Sequence, residues 1–251
     1  MDFVARFDAL METLDATTRR LFLRAVEVVD RAIDVFSLDR ICFSFNGGKD
    51  STVVLHLIRL VLAKRAIVTS PEISPDVFDT VYRDMLHQLP VMYFDTPNQF
   101  PEVQAFIHNS IVRYGFQCEM QKSSYIDGIQ AIISKRSTQA FLMGVRVGDP
   151  GTDELEHFSP STKGWPAFFR VNPILQWRYD MVWLFLRQLD LEYCSLYDQG
   201  YTSLGDVHNT ERNPALVHIN AQGETEYWPA YKLVDNSSER CGRASNGSKK
   251  C

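Results

Sequence analysis

The stretch Ile41-Cys42-Phe43-Ser44-Phe45-Asn46-Gly47-Gly48-Lys49-Asp50-Ser51 decides the fold. Residues 40–45 are typical of an apolar strand, and residues 51–62 are typical of a helix. Two glycines between these segments let an anion approach the main chain, because no Cβ stands in the way. The first turn of the helix adds unpaired N–H groups and the positive end of the helix dipole. The sequence therefore predicts a strand–loop–helix unit that binds phosphate.

The loop differs from the common phosphate-binding motifs. The spacing before Lys49 does not fit a Walker A loop, and the third glycine of the dinucleotide fingerprint is missing. Gly-Gly alone would also suit an ordinary tight turn, but the polar residues around it favour a site: Ser44, Asn46, Lys49, Asp50 and Ser51. The segment resembles the S-x-G-G-x-D-S loop of the ATP pyrophosphatases and phosphoadenylylsulfate reductases, which implies nucleotide chemistry at the α-phosphate.

Strand and helix patterns alternate along the chain. Strands are also predicted at 91–95, 117–120 and 140–145, and helices at 3–36, 77–89, 103–114, 126–133 and 181–189. Within 3–36, Thr17 and Thr18 suit a break and a new N-cap between two helices. This alternation is typical of an α/β fold with a Rossmann-like, doubly wound and mostly parallel sheet. Residues 151–173 are predicted to form a loop, and Trp177 and Trp183 are assigned to the core.

Polar residues follow three of the predicted strands. They are the glycine loop itself, Asp95, and the pair Arg146 and Asp149. Ligands of doubly wound sheets bind at the carboxyl ends of the strands, so we expect these residues to converge. The alternatives are a simple turn at Asp95 and a surface ion pair between Arg146 and Asp149.

Composition limits the class of protein. The 251 residues suit a single α/β domain, and the net charge of −5 gives no basic excess for nucleic acid. The five widely spaced cysteines favour a reducing compartment, and the six histidines form no metal-binding spacing. We find neither a targeting segment nor a membrane-spanning run, so a cytoplasmic protein is expected, and a monomer is plausible.

Four further blocks carry a closer resemblance. They are Gly144-Val145-Arg146-x-x-Asp149-Pro150, Asn172-Pro173-Ile174-Leu175-x-Trp177, Tyr193-Cys194-x-Leu196-Tyr197-Asp198-x-Gly200-Tyr201-Thr202-Ser203-Leu204-Gly205, and Pro229-Ala230-Tyr231-x-Leu233 followed by Glu239-Arg240-x-Gly242-Arg243. Together with the Asn46 form of the loop they resemble the eukaryotic-type FAD synthases, over about residues 41–243. The resemblance implies an adenine nucleotide α-hydrolase-like fold and the reaction FMN + ATP → FAD + pyrophosphate with Mg²⁺.

The resemblance also implies an arrangement of the chain and roles for its residues. It assigns a nucleotide-binding core to residues 40–150 and flavin-binding loops with a C-terminal part to residues 151–243. Apolar periodicity predicts N-terminal helices at 1–39, and polar composition predicts a flexible tail at 244–251. Asn46, Asp50, Asp149 and Arg240 are the predicted catalytic residues, with Asp50 and Asp149 on the metal. The predicted ATP contacts are Ser44, Phe45, Gly47, Gly48, Lys49, Asp95, Gly144 and Arg146, and the predicted FMN contacts are Gly164, Trp165, Pro166, Arg240 and Arg243.

Two other functions remain open at the level of sequence. A sulfonucleotide reductase is one, because Glu239-Arg240-Cys241-Gly242 faintly resembles the Glu-Cys-Gly-x-His tail of that group, although the adjacent glutamate and the histidine are missing. A non-catalytic nucleotide-binding protein on the same fold is the other, because fold alone does not establish function.

Overall fold

The computed structural model describes residues 2–69 and 74–243, which form seven α-helices and two sheets. The flexible tail predicted at residues 244–251 lies outside the described residues. The helices are α1 (Asp2–Thr13), α2 (Ala16–Phe36), α3 (Lys49–Thr69), α4 (Pro75–Gln88), α5 (Pro101–Tyr114), α6 (Tyr125–Arg136) and α7 (Tyr179–Gln188).

The main sheet has six strands, and all but one neighbouring pair run parallel. Its strands are β1 (Ile41–Ser44), β2 (Pro90–Phe94), β3 (Gln117–Gln121), β4 (Ala140–Leu142), β5 (Phe158–Pro160) and β6 (Phe169–Val171). Their order across the sheet is β3-β2-β1-β4-β6-β5, with β5 antiparallel to β6. The order reverses at β1, so the loop after this strand lies at the switch point where such sheets bind ligands. The predicted fold class is confirmed.

Both faces of the sheet are covered, as the doubly wound pattern requires. Ile41 and Phe43 of β1 join the large core, which includes residues of α1, α2, α3 and α7. Cys42 points to the other face and packs in a smaller cluster with Ile129 and Ile132 of α6. The alternation along β1 follows from the two-residue period of a strand. Trp177 and Trp183 lie in the large core, as predicted.

The two N-terminal helices differ from the prediction in one detail. Thr17 and Thr18 were expected to supply the N-cap of the second helix, but Asp15 does so. Its carboxylate accepts hydrogen bonds from the backbone N–H groups of Thr17 and Thr18, at 2.9 and 3.1 Å. The threonines therefore lie in the first turn, and the charged cap also complements the helix dipole.

The region predicted as a loop at 151–173 contains two strands, β5 and β6. Each has three residues, which is too short to show a period in a segment rich in serine and proline. β6 pairs with β4, and β5 pairs with β6 at the edge of the sheet. The strand predicted at 140–145 is shorter than expected and ends at Leu142.

The C-terminal part contributes little regular structure. Beyond α7 it has a small antiparallel hairpin of β7 (Val217–Ile219) and β8 (Thr225–Tyr227), with short 3₁₀ helices that include Ser195–Gln199 and Asn236–Arg240. We refer to residues 236–243 as the strap. Across the described ranges no helix is long and apolar enough to cross a membrane.

Candidate active site

The site begins at the loop of residues 45–48, which we call the amide loop. Gly47 has φ of 71°, and a Cβ there would lie 2.8 Å from Ile107 on α5, so a side chain would meet both strain and a clash. The side-chain oxygen of Asn46 accepts hydrogen bonds from the N–H of Gly48 at 3.0 Å and from the hydroxyl of Ser51 at 2.7 Å. Asn46 therefore ties the loop to the start of α3.

Gly144 brings the end of β4 against the same turn. A Cβ at this position would lie 2.6 Å from the backbone nitrogen of Ser51 and 2.7 Å from the backbone carbon of Asp50. Only glycine fits so close to another backbone without a shift. The contact fixes the amide loop relative to the segment that carries Arg146 and Asp149.

Four charged side chains meet beneath the loop, and we call them the ion cluster: Lys49, Asp50, Arg146 and Glu239. Asp50 accepts from Lys49 at 2.9 Å and from Nε of Arg146 at 2.6 Å. Glu239 also contacts both cations, with both of its oxygens 2.6 Å from the same nitrogen of Arg146. The side chains of Lys49 and Arg146 are only 2% and 6% exposed. Two positive and two negative charges thus compensate one another in a mostly buried setting.

The pKa values follow from this arrangement. Burial would raise the pKa of Asp50, but Lys49 and Arg146 outweigh burial and hold that pKa below its ordinary value. Burial works against the charged form of Arg146, yet Asp50 and Glu239 raise its pKa overall. Burial raises the pKa of Asp149, with Asp50 adding to the rise, although the backbone N–H of Arg146 partly opposes it. Asp149 is therefore the carboxylate of the site that lacks a full counter-charge.

Two buried tyrosines support the loop from below. The hydroxyl oxygen of Tyr197 accepts a hydrogen bond from the N–H of Lys49 at 2.8 Å. The ammonium group of Lys49 lies 5.2 Å from the ring centre of Tyr179. The Lys49 side chain thus points into the protein interior. In the amide loop, the N–H of Phe45 donates to the carbonyl of Met92 and that of Gly48 to Asn46, so the N–H groups of Asn46 and Gly47 remain for a ligand.

A cavity of about 480 Å³ opens above the amide loop, and we call it the first cavity. It is lined by the loop itself, by the segment after β2, by Tyr125, and by the C-terminal residues Leu204, Gly205, Asp206 and Arg243. The rings of Phe94 and Tyr125, both on its wall, lie 4.4 Å apart between centres. One cavity therefore joins the amide loop to residues of the C-terminal part.

Arg243 is the cation of this cavity. One of its terminal nitrogens donates to the carbonyl of Leu204 at 2.8 Å, while its buried Nε has no hydrogen-bond partner among the described residues. Burial and the nearby Arg240 lower its pKa. Unlike Lys49 and Arg146, this guanidinium group is not matched by a carboxylate within salt-bridge distance in the described chain.

A second cavity, of about 580 Å³, lies on the other side of the strap. Arg146, Asp149, Glu239 and Arg240 line it. A terminal nitrogen of Arg240 lies 3.7 Å from an oxygen of Asp149. Asn46 and Arg240 thus line different cavities, whereas Asn46 and Arg243 share the first one.

Some predicted site residues lie apart from both cavities. Asp95 contacts Gln104 at 3.3 Å and Lys122 at 3.8 Å. Trp165, of the predicted segment Gly164-Trp165-Pro166, packs against the smaller core cluster with its ring 5.9 Å from the guanidinium carbon of Arg170. The structure does not bring this segment to the amide loop, so its flavin contact stays a prediction.

Two residues of the site, Glu239 and Tyr197, were not predicted from the sequence. Both lie in blocks that were singled out for resemblance, directly before Arg240 and directly before Asp198. Their contacts reach back to Lys49 over 190 and 148 residues of sequence. No local pattern signals such distant contacts. In the described ranges no group of three or more histidine, cysteine, aspartate or glutamate side chains is arranged to hold a metal ion.

Comparison with known proteins identifies the family of the chain. A family model of the phosphoadenosine phosphosulfate reductase domain matches residues 40–125 and 119–212. A probable FAD synthase of Schizosaccharomyces pombe is 32% identical over 220 residues, which cover 87% of this chain and 77% of the relative. The chain belongs to the FAD synthase family.

Other members of the FAD synthase family differ in length. A probable FAD synthase of Caenorhabditis elegans is 34% identical over 251 residues, which cover 98% of this chain but 45% of the relative. The chain thus spans about half the length of that relative. The crystal structure of Candida glabrata FMN adenylyltransferase shares the fold, with a TM-score of 0.81, 22% identity, and 98% and 96% of the two chains covered. A phosphoadenylyl-sulfate reductase of Candida auris is less similar, with a TM-score of 0.53 over 74% of this chain and 90% of that one, at 16% identity.

Proposed function

We propose that the chain transfers the adenylyl group of ATP to FMN, giving FAD and pyrophosphate. The observation that carries the proposal is the first cavity, where the amide loop and the uncompensated Arg243 face one space. Two phosphate-binding groups in one cavity suit a reaction between two phosphorylated substrates. Membership of the FAD synthase family supports the choice of substrates, and a Candida glabrata relative of the same fold has been solved with FMN and an ATP analogue.

The reaction makes modest demands on acid–base chemistry. An oxygen of the FMN phosphate, already anionic at neutral pH, attacks the α-phosphorus of ATP. The bond to the β-phosphate breaks, and pyrophosphate leaves with the electron pair. No general base is needed, so the work of the protein is to hold two polyanions together and to stabilise charge.

The amide loop is the proposed binding site for the ATP phosphates. Its N–H groups and the start of α3 present partial positive charge without a side chain in the way. Asn46 is placed on the α-phosphate in this proposal, since it sits on the wall of the first cavity above α3. Lys49 and Arg146 act mainly from beneath, because the ion cluster already compensates them.

The residues present also suit Mg²⁺. This ion usually binds one or two carboxylates together with substrate phosphates, so a preformed group of three protein ligands is not required. Asp149 fits best, because burial raises its pKa and its salt-bridge partner, a terminal nitrogen of Arg240, lies 3.7 Å away rather than in close contact. Asp50 would be the second carboxylate, although Lys49 and Arg146 already occupy its oxygens. When bound, Mg²⁺ would neutralise charge on the leaving pyrophosphate.

The flavin side of the proposal rests on the strap. Arg243 would bind the FMN phosphate in the first cavity, and Arg240 would act from the side of Asp149. The Gly164-Trp165-Pro166 segment is the proposed wall for the flavin ring. The substrates are small and diffusible, and we expect a cytoplasmic enzyme without nucleic-acid or membrane partners.

The test is direct. Purified protein is mixed with FMN, ATP and Mg²⁺, and FAD and pyrophosphate are measured by chromatography. We expect one pyrophosphate for each FAD. Loss of one charge-stabilising contact commonly lowers the rate about a hundred- to a thousandfold, so Arg243→Met should lower kcat/KM for FMN on that scale. Arg24→Met, which removes an arginine paired with Glu27 on the surface of α2, is the matched control.

Other outcomes would identify other functions. Consumption of thiols with a sulfonucleotide substrate, and no FAD, would indicate a reductase. Binding of ATP without turnover would indicate a nucleotide-binding protein. Burial raises the pKa of Cys42, and it raises the pKa of Cys118 and of Cys194 to about 11, which makes these three thiols poor nucleophiles and disfavours the reductase at those positions.

A further inference from the structure

The strap is held in place by buried polar side chains. Asn213, which is fully buried, donates from one nitrogen to the carbonyl of Ser238 at 2.7 Å and to the hydroxyl of Thr202 at 2.8 Å. The hydroxyl of Thr202 in turn donates to the carbonyl of Glu239 at 2.6 Å. Buried hydrogen bonds of this kind fix a segment that has little regular structure of its own.

The side chain of Glu239 provides the attachment on the opposite side. It reaches out of the strap and binds both Lys49 at the start of α3 and Arg146 after β4. Its side chain is 14% exposed, so water competes weakly for these contacts. Because this one carboxylate contacts cations on two different elements, it restricts the position of the strap more than a single contact would.

The strap carries both arginines of the proposed reaction. Arg240 follows Glu239 directly, and Arg243 lies three residues later in the first cavity. The amide loop and the arginine pair belong to parts of the chain that are nearly 200 residues apart. Within the described residues, Glu239 makes the close salt bridges from the strap to Lys49 and Arg146, and Arg240 adds a longer one of 3.7 Å to Asp149.

We propose that Glu239 is a positioning residue that locks the strap onto the ion cluster and thereby sets Arg240 and Arg243 relative to the amide loop. It acts through Lys49 and Arg146 rather than by touching a substrate. The inference rests on the proposed function for its kinetic consequence, but its structural consequence can be measured on the free protein.

The structural test uses Glu239→Gln. Removal of one negative charge leaves Lys49 and Arg146 with a single carboxylate and loosens the strap. Hydrogen exchange of the strap amides, measured without substrates, should quicken by at least about tenfold, while exchange in β1 and β2 stays unchanged. Glu27→Gln, which breaks a surface pair with Arg24, is the matched control and should leave the strap as it is. Unchanged strap exchange in Glu239→Gln would overturn the proposal.

The kinetic test separates positioning from nucleotide binding. Glu239→Gln should raise KM for FMN and lower kcat, together by at least about tenfold, because Arg243 loses its fixed place. The Kd for ATP alone should change by less than about threefold, since loop amides make the proposed phosphate contacts. Glu239→Asp, which keeps the charge, should restore part of the activity. An equal loss of ATP and FMN affinity would place Glu239 in the ATP site instead and refute the positioning role.

A second pair of variants, at Thr202, can be measured if Glu239→Gln fails to fold. Thr202→Val keeps the shape of the side chain but removes its hydrogen bonds to the carbonyl of Glu239 and from the side chain of Asn213, whereas Thr202→Ser keeps both. We expect faster strap exchange and a higher KM for FMN in the valine variant only. Equal behaviour of the two variants would contradict the proposal. If the wild-type protein makes no FAD, the proposed function fails, while the exchange measurements still decide whether Glu239 holds the strap.

Discussion

At the scale of single residues, Gly205 and Arg243 show how closely the site is built. A Cβ at Gly205 would lie 2.3 Å from a terminal nitrogen of Arg243 and 2.5 Å from its guanidinium carbon. Gly205 does not have a positive φ, so an added methyl group would meet space limits rather than backbone strain. The side-chain oxygen of Asn209 would lie 2.6 Å away, so the groups that must yield are the flexible ends of Arg243 and Asn209.

Gly205→Ala should therefore move Arg243 without unfolding the protein. We expect kcat/KM for FMN to fall at least about tenfold. The free energy of unfolding should fall by at most about 3 kcal/mol. Steady-state kinetics and urea unfolding measure the two effects. Gly223→Ala, at a φ of 84° with open space around it, is the control that carries strain without touching Arg243. Unchanged FMN kinetics in Gly205→Ala would show that the position of Arg243 does not matter.

A second prediction for a single residue concerns Asp50 and the dependence of stability on pH. Its folded pKa is held below the ordinary value of 3.8, so the stability it adds is present above about pH 4 and lost as pH falls through the folded pKa. Asp50→Asn leaves Lys49 and Arg146 short of one counter-charge, and breaking a buried pair costs about 3–5 kcal/mol at neutral pH. The gap in unfolding free energy between wild type and variant should narrow below pH 4. Asp8→Asn, which breaks a surface pair with Lys64, should cost at most about 1 kcal/mol.

At the scale of elements, the strand–loop–helix unit depends on the contact between Gly144 and α3. Gly144→Ala would place a methyl group 2.6 Å from a backbone nitrogen, which has no flexible end to move aside. We expect a loss of at least about 1–3 kcal/mol in unfolding free energy, together with lower activity, as α3 or β4 shifts. Urea unfolding and kinetics on the same sample check this. A variant with wild-type stability would mean that the two elements are less tightly packed than described.

The elements themselves divide into those that sequence predicts and those that it does not. β1, α3 and β2 were predicted because long apolar runs and glycine breaks indicate them. β1 and β2 lie within a few residues of their expected bounds, whereas α3 continues to Thr69. β5 and β6 were missed because three residues are too few to show a period. Asp15 was missed as a cap because two threonines beside it offered the same hydrogen-bonding chemistry.

At the scale of the whole molecule, the site combines local and distant parts of the chain. Sequence predicted that the polar residues after β1, β2 and β4 converge. The 2.6 Å contact between Asp50 and Arg146 shows this for β1 and β4, whereas Asp95 after β2 contacts Gln104 and Lys122 instead. Sequence did not predict Glu239 in the same cluster, or the separation of Arg240 from Arg243 by the strap. Those features depend on how the irregular C-terminal part folds back, which local propensity does not determine.

The change in thermal stability on ligand binding tests whether ATP and FMN bind at separate regions of the folded protein. A ligand present at 100 times its Kd stabilises a protein by about 2.7 kcal/mol. Each kcal/mol should raise Tm by roughly 2–4 °C for a chain of this size. ATP with Mg²⁺ and FMN should each raise Tm of the wild type. In Arg243→Met the shift with FMN should shrink while that with ATP remains, and loss of both shifts would argue against separate binding regions for the two phosphates.

The ion cluster balances its own charges in the protein without a bound ligand. Sites that gather unpaired cations for polyphosphate tend to be repulsive when empty and can need their ligand to close. Here Asp50 and Glu239 balance Lys49 and Arg146 from within the chain, so the turn can fold without a bound nucleotide. A newly made chain in an ATP-depleted cell would still fold to a competent resting form, ready when its substrates return.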